Sequence, residues 1–318
     1  MKPFRKNTDI GKYREKGYFS LLAEDIRKKP SMYLMVIPIV AYFLIFCYYP
    51  MYGAIIAFKN YMPIKGFLGS PWVGFTHFKN FFKDIYFWRL IKNTLRLSIS
   101  DLVLNFPLSI ILALMLNEVN GKAFKRTVQS LSYIPHFISL VVVCGMIKQF
   151  TSDTGIITWF LSLFGLEKTS LLSVAKYYPA IHVLSATWQH LGWNSIIFIA
   201  AMSGIDGQLY EAASIDGANR LRRVWHVTLP GIAMTISILF IMKVGQLLTV
   251  GYQKVILLYN PNIYSTADVI SSYVYRKGLQ EFSWSYSTAI NLFNSILNVI
   301  LLLSANRLTK KLGQDGLF

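Results

Sequence analysis

The chain has 318 residues, 54% of them hydrophobic, and a mean hydropathy of +0.42. That composition excludes an ordinary soluble domain and fits an all-α protein that crosses a membrane several times. A net charge of +17 would suit a nucleic-acid partner if it formed one patch. The charges instead lie on loops that alternate with apolar runs, so membrane topology accounts for them and no nucleic acid is expected. The two cysteines, Cys47 and Cys144, both lie in apolar runs and read as small packing residues, with no disulfide framework or metal spacing.

Residues 1–32 carry nine Lys/Arg, with Tyr18, Phe19, Leu21, Leu22 and Ile26 among them. They read either as a basic tail with a short interfacial helix against anionic lipid, or as a solvated tail that only fixes topology. A cleaved signal has a much shorter basic lead, so none is expected. The first span is expected at 33–56, with Pro50 kinking or ending its regular helix. The loop over 58–92 is rich in Phe and Trp and is expected to lie on the membrane surface.

The second span is expected at 93–116. Its Arg96 and Asp101 do not face each other along one helix, so each should snorkel or pair with a neighbouring helix. A short basic loop, 117–130, leads to a third span at 132–150. In the next loop, 151–180, Trp159, Phe160, Leu161, Leu163 and Phe164 suit a short interfacial helix. The fourth span is expected at 181–205, the fifth at 228–250 and the sixth at 287–308. A polar, Tyr-rich region fills 251–286, and a short basic tail covers 309–318.

Six spans put both termini on one side. The terminal segments and the loops on their side carry 18 Lys/Arg, against 11 in the longer loops opposite. By the positive-inside tendency both termini are cytoplasmic, in a multi-pass protein of the cell membrane, and so is the segment Glu211–Pro230.

That segment is polar and basic, yet lies between two strongly apolar runs. Asp206 is placed to cap a short helix over Gln208–Ile215. Asp216-Gly217 breaks it, and a second short helix is expected over 219–227. Thr228 is placed to cap the fifth span, and Pro230 suits its first turn. A rigid helix-turn-helix fixed to the membrane at both ends can fit a groove on another protein and transmit a push.

The spacing resembles the EAA motif of binding-protein-dependent ABC transporter permeases: Glu-Ala-Ala, three residues, Gly, nine residues, Ile, one residue, Leu-Pro. Here it reads Glu211-Ala212-Ala213, Gly217, Val227, Leu229-Pro230, with Val for Ile as the one departure. Tyr49-Pro50-Met51-Tyr52-Gly53 and Ala57-Phe58-Lys59 resemble the first-span signature of the LplB-like polysaccharide and oligosaccharide group. Gly74-Phe75, Asn80-Phe81 and Asn93-Thr94-Leu95 are similar to maltose-type sugar permeases generally. The resemblance implies a type I importer permease fold with six transmembrane helices and cytoplasmic coupling helices. It assigns ATPase coupling to Glu211, Ala212, Ala213, Gly217, Arg220, Val227, Leu229 and Pro230.

It also implies partners: a second, different permease subunit, two copies of a cytoplasmic ATPase, an extracellular solute-binding lipoprotein, and lipid. The chain has no G-x-x-x-x-G-K-[ST] phosphate cradle, so no cofactor or catalytic residue is expected of it. ATP and magnesium would belong to the ATPase.

Polar groups inside spans are costly and are functional candidates by default. Trp188, Gln189, His190, Trp193, Asn194 and Ser195 crowd the outer half of the fourth span. Either they hold a sugar by ring stacking and amide hydrogen bonds, or the tryptophans belong to the interfacial belt and the polar groups to helix packing. Lys243 and Gln246 share a face deep in the fifth span, a part of that helix which lines the cavity in maltose-type permeases. A lysine there must meet water, a carboxylate or a polar ligand, and suits an acidic sugar. Asn291, Asn294, Ser295 and Asn298 form one face of the sixth span, where such residues glue helices or touch substrate.

Two other classes remain. A stand-alone six-span channel or secondary transporter would pair ionisable groups at mid-membrane, whereas the deep charges here are few and unpaired along the chain. A membrane enzyme needs clustered His, Asp or Glu. The five histidines are scattered, and neither catalytic nor metal-binding residues are expected.

Overall fold

The computed structural model describes residues 18–313, 316 and 317. The first 17 residues of the expected basic tail lie outside these. Among the described residues the chain is helical, and its β-structure is one isolated bridge between Lys59 and Trp72. It divides into a smaller unit ending at Ile55 and a larger one beginning at Ile56.

In the smaller unit, helix α1 (Tyr18–Lys28) is followed by α2 (Pro30–Tyr42), which opens on Pro30, where a missing N–H costs nothing. Helical backbone then continues past the end of this unit to Phe58, a run of 29 residues counted from Pro30 and long enough to span. Pro50 does not end it. The lost donor is accommodated by π-type turns over Phe43–Tyr48 before it and 3₁₀ turns over Tyr52–Phe58 after it. Cys47 is exposed here, so of the two cysteines only Cys144 is a packing residue.

In the larger unit, the aromatic loop is held by contacts within the protein. Phe58 stacks on Trp72 at 5.8 Å, and the Lys59 ammonium donates to the Phe67 carbonyl at 2.6 Å. Helix α3 (Thr76–Lys83) buries Phe81 against Leu90, Tyr273 and Ile290. Helix α4 (Phe87–Glu118), 32 residues, is the long central helix. Next come α5 (Lys122–Phe137) and α6 (Leu140–Phe150), bent by 97° where they meet. The expected third span is therefore a broken pair, and most of the expected loop before it is helix. Ser139 caps α6 by accepting from the Val142 amide at 3.4 Å, and the Gln189 amide reaches the orphan Ile138 carbonyl at 3.4 Å. The expected interfacial helix is α7 (Ile156–Ser162), with Ile156, Trp159 and Phe160 exposed.

Helix α8 (Tyr178–Ser203) packs along α4, burying Phe198 and Met202 with Ala113 and Ile232. Against α5 it comes so close that a Cβ on Gly192 would lie 2.1 Å from the Ser132 carbonyl oxygen; only glycine fits. Helices α9 (Gly207–Ile215) and α10 (Arg220–Arg223) form the polar loop. Helical turns carry on from α10 to Gly231, then bend by 63° into α11 (Ala233–Val244).

Helix α11 is about 18 Å long at ~1.5 Å per residue, too short to cross a ~30 Å hydrocarbon core. The expected continuous fifth span is thus interrupted: turns over 245–248 and irregular backbone to Gly251 connect it to α12 (Tyr252–Leu258). Helix α13 (Ile270–Tyr275) and the long α14 (Trp284–Lys311) complete the unit. Among the described residues, three helices can cross a membrane by length and apolarity, or five if each bent pair counts as one. Helix α8 is long enough but is diluted by Gln189, His190 and Asn194.

At the end of the molecule that carries Arg89, fully buried Asp268 binds the Arg276 guanidinium through both oxygens and Arg89 at 3.1 Å. Burial opposes the Arg276 charge, but the hydrogen bonds and charge of Asp268 outweigh it and raise its pKa above the usual arginine value. Nearby, Asp84 accepts from the hydroxyls of Tyr273 and Tyr286 and from the Tyr86 amide at 2.9 Å. Burial raises its pKa, yet those three bonds and the Lys277 charge hold it below the usual aspartate value. These contacts tie α3, α4, α13 and α14 together.

Candidate functional site

Two features of the larger unit have the residue chemistry of a site: the polar loop and a cavity between α4, α8 and α11.

The loop is a rigid elbow. Asp206 caps α9 as expected, accepting from the Gln208 amide at 3.0 Å. Gly217 follows at φ +73, the left-handed region that favours glycine, and the Ala218 amide closes the turn on the Ala213 carbonyl at 2.9 Å. Asn219 then caps α10 through the Arg222 amide at 2.9 Å. The second arm is longer than the expected 219–227, running to Gly231. Thr228 does not cap a span. It is buried inside that arm and its hydroxyl meets the Tyr210 hydroxyl at 3.0 Å, while the Arg223 guanidinium reaches the Ser214 hydroxyl at 3.2 Å.

These cross-links leave a distinct outer surface. Glu211, Ala212, Gly217, Arg220 and Pro230 are exposed, and Ala213, Val227 and Leu229 are half-buried. Ile215, Leu221 and Trp225 are 87%, 66% and 62% exposed, an apolar set on a loop that also exposes Glu211, Asp216, Arg220 and Arg222. Large exposed apolar side chains on a stiff polar elbow are the makings of a protein contact.

The cavity has a volume of about 410 Å³. It brings together Gln189, His190, Asn194, Lys243 and Gln246 of the sequence-derived candidates. It does not bring in Trp188, Trp193 or Ser195. Trp193 stacks on His136 at 4.3 Å, which in turn meets His190 at 3.2 Å between Nδ1 atoms. Ser195 is fully buried and its hydroxyl donates to the Gly192 carbonyl at 2.6 Å. A second chamber of about 150 Å³ shares Asp101, Asn105, Asn194, Lys243 and Gln246 with the first and continues along Phe106 and Phe198. Asp101 and Asn105 belong here, with the Asn194 amide donating to Asn105 Oδ1 at 3.3 Å.

Sequence reasoning missed Lys254, assigned to an outer loop. It is only 8% exposed, lines the larger cavity, and donates to the His182 carbonyl at 3.0 Å. Its one signal was a lone lysine ahead of Val255-Ile256-Leu257-Leu258. Neither Lys243 nor Lys254 has an ion pair among the described residues, and Asp101 is the one acidic group in the lining. The cavity is therefore cationic and amide-rich, suited to an anionic, hydroxyl-bearing ligand.

Residues 105–313 match the model of the family "Binding-protein-dependent transport system inner membrane component". The chain is 44% identical over 294 residues to protein LplB of Bacillus subtilis, with 92% of each chain covered. It is also 44% identical over 299 residues to the polygalacturonan/rhamnogalacturonan transport system permease protein YteP of the same species, covering 94% of this chain and 93% of that one. The larger scaffold is shared with a bacterial alginate ABC transporter crystallised with an alginate pentasaccharide-bound periplasmic protein. One of that transporter's chains has a TM-score of 0.84 and 40% identity, over 92% of this chain and 99% of that one.

Proposed function

The chain belongs to the family of inner membrane components of binding-protein-dependent transport systems, and we propose that it forms half of an import pathway for an acidic oligosaccharide. The second half is a different permease subunit. Two copies of a cytoplasmic ATPase bind and hydrolyse ATP with magnesium, and an extracellular solute-binding lipoprotein delivers the sugar. Both termini and the elbow face the cytoplasm. The excess of Lys/Arg on that side supports this orientation.

The observation that carries the coupling role is the elbow itself. It is cross-linked at Tyr210–Thr228 and Ser214–Arg223, and it presents Ile215, Leu221 and Trp225 outward. Motion of a bound ATPase reaches α8 through α9 and α11 through the second arm. Glu211, Arg220 and the Ala212-Ala213 surface lie on the same loop and complete the docking face.

The acidic cargo is supported by the two lysines without carboxylate partners in the cavity. The relatives named for alginate and polygalacturonan agree in charge, both polymers being built of uronic acids. Lys243 and Lys254 take the carboxylates, while Gln189, Asn194 and Gln246 meet hydroxyls. Trp188 and Trp193 stand beside this chamber as candidate stacking surfaces, and Ser195 supports it from within α8.

Co-purification of the ATPase with the detergent-solubilised complex tests the coupling role. Recovery that disappears with Glu211→Lys or Gly217→Pro supports it; recovery unaffected by both refutes it. Uptake of neutral and acidic oligosaccharides tests the cargo, and Lys243→Met leaving both equally intact would refute the acidic reading. Uptake by this chain alone in liposomes would point instead to a self-sufficient channel or secondary transporter.

A further inference from the structure

The interrupted stretch after α11 is fastened to α14 at three successive levels. Asn294 Nδ2 donates to the Leu248 carbonyl at 3.2 Å. One turn on, Asn298 Oδ1 accepts from the Leu248 amide at 3.1 Å and its Nδ2 donates to the Thr249 hydroxyl at 2.9 Å. One turn further, Leu302 lies against Gly245 so closely that a Cβ there would be 2.3 Å from Leu302 Cδ1.

Backbone that leaves a helix at membrane depth strands N–H and C=O groups, which must find partners inside the protein. An asparagine amide offers a donor and an acceptor together. The two asparagines therefore satisfy both backbone groups of Leu248, and Asn298 also holds the side chain of the next residue.

The fastened stretch is a wall. Thr249, Val250, Gly251 and Gln253 line the 410 Å³ cavity on one side and a groove of about 1080 Å³ on the other. Asn294 and Asn298 line only the groove. On the cavity side, Lys243 and Gln246 stand just before the wall and Gln253 and Lys254 just after it, so its position fixes the distance between the two lysines.

We propose that Asn294 and Asn298 are positioning residues for cargo selection. By clamping Leu248 and Thr249 they set the width of the cavity and the spacing of its two cations, and so the oligosaccharide length that fits. This rests on the cavity being the cargo site.

The test compares Asn298→Leu with Asn298→Asp in the full transporter. Leucine fills similar space without the bonds. Aspartate still accepts from the Leu248 amide, and it can accept a hydrogen bond from the Thr249 hydroxyl. The first readout is the ratio of uptake rates for a uronate trisaccharide and a uronate pentasaccharide. Asn298→Leu should shift that ratio by about three- to tenfold, the effect of ~0.5–1.5 kcal/mol per hydrogen bond. Asn298→Asp should restore it, with ATPase activity without substrate unchanged in both.

The second readout needs no transport. Gly251→Cys, a position with nothing within 4 Å of its Cβ, is placed in a chain with Cys47 and Cys144 replaced by Ala. A water-soluble maleimide should label it faster with Asn298→Leu than with Asn298→Asp. Unchanged labelling, or faster labelling with an unchanged uptake ratio, overturns the proposal. A labelling difference in a transporter whose unmodified form imports neither sugar would leave the clamp standing and remove the cargo assignment.

Discussion

Asp268 and Arg276 meet through two parallel hydrogen bonds, Nη1 to Oδ1 at 3.2 Å and Nη2 to Oδ2 at 2.8 Å, with the carboxylate fully buried. Arg89 and the Ser272 hydroxyl add further bonds to the same carboxylate. Two cations left facing an apolar substitute would be uncompensated. Asp268→Leu should therefore cost about 3–5 kcal/mol, read as a lowered melting temperature in detergent, while Lys28→Gln, in an exposed pair with Glu24, should leave it nearly unchanged.

Gly192 is a point of close approach between α8 and α5. Adding one methyl group forces backbone apart because the obstacle is a carbonyl oxygen, not a flexible side chain. Gly192→Ala should destabilise by about 1–3 kcal/mol. Ser203→Ala, farther along α8, exposed and with its hydroxyl on the Ile199 carbonyl of the same helix, should be close to neutral. Melting curves of the two variants decide the order.

Gly217 has open space around it, so its requirement is conformational rather than steric. A β-branched residue at φ +73 costs about 1–2 kcal/mol locally. Gly217→Val should leave membrane insertion and melting temperature nearly intact while lowering substrate-stimulated ATPase activity of the assembled complex severalfold. Equal loss of insertion would make the glycine a folding residue only.

Lys254 lines the same cavity as Lys243, following the wall in the chain where Lys243 precedes it. Replacing it by Met removes one charge-assisted contact of about 1.5–3 kcal/mol, so uptake of uronate oligosaccharide should fall by about tenfold or more. Uptake of a neutral oligosaccharide of equal length should change little. Parallel loss of both would assign Lys254 to packing through the His182 carbonyl.

The elements that depend on local chemistry were legible in the sequence. Apolar runs located the long helices α4, α8 and α14, because burying a helix in hydrocarbon needs only length and apolarity. Asp206 and Gly217 marked the elbow, because capping and a left-handed turn are decided within a few residues. Gln189, Asn194, Lys243 and Gln246 stood out as polar groups in costly places.

What depends on neighbours was not legible. The 97° break between α5 and α6 requires Gln189 of a distant helix to satisfy the Ile138 carbonyl. The interruption after α11 requires Asn294 and Asn298, some fifty residues on, to take over the bonds of Leu248. Periodicity alone cannot distinguish a continuous span from one whose missing bonds are supplied elsewhere. Lys254 was hidden for the same reason: only the return of α12 against α6 and α8 turns a residue of an apparent outer loop into a cation in the cavity wall.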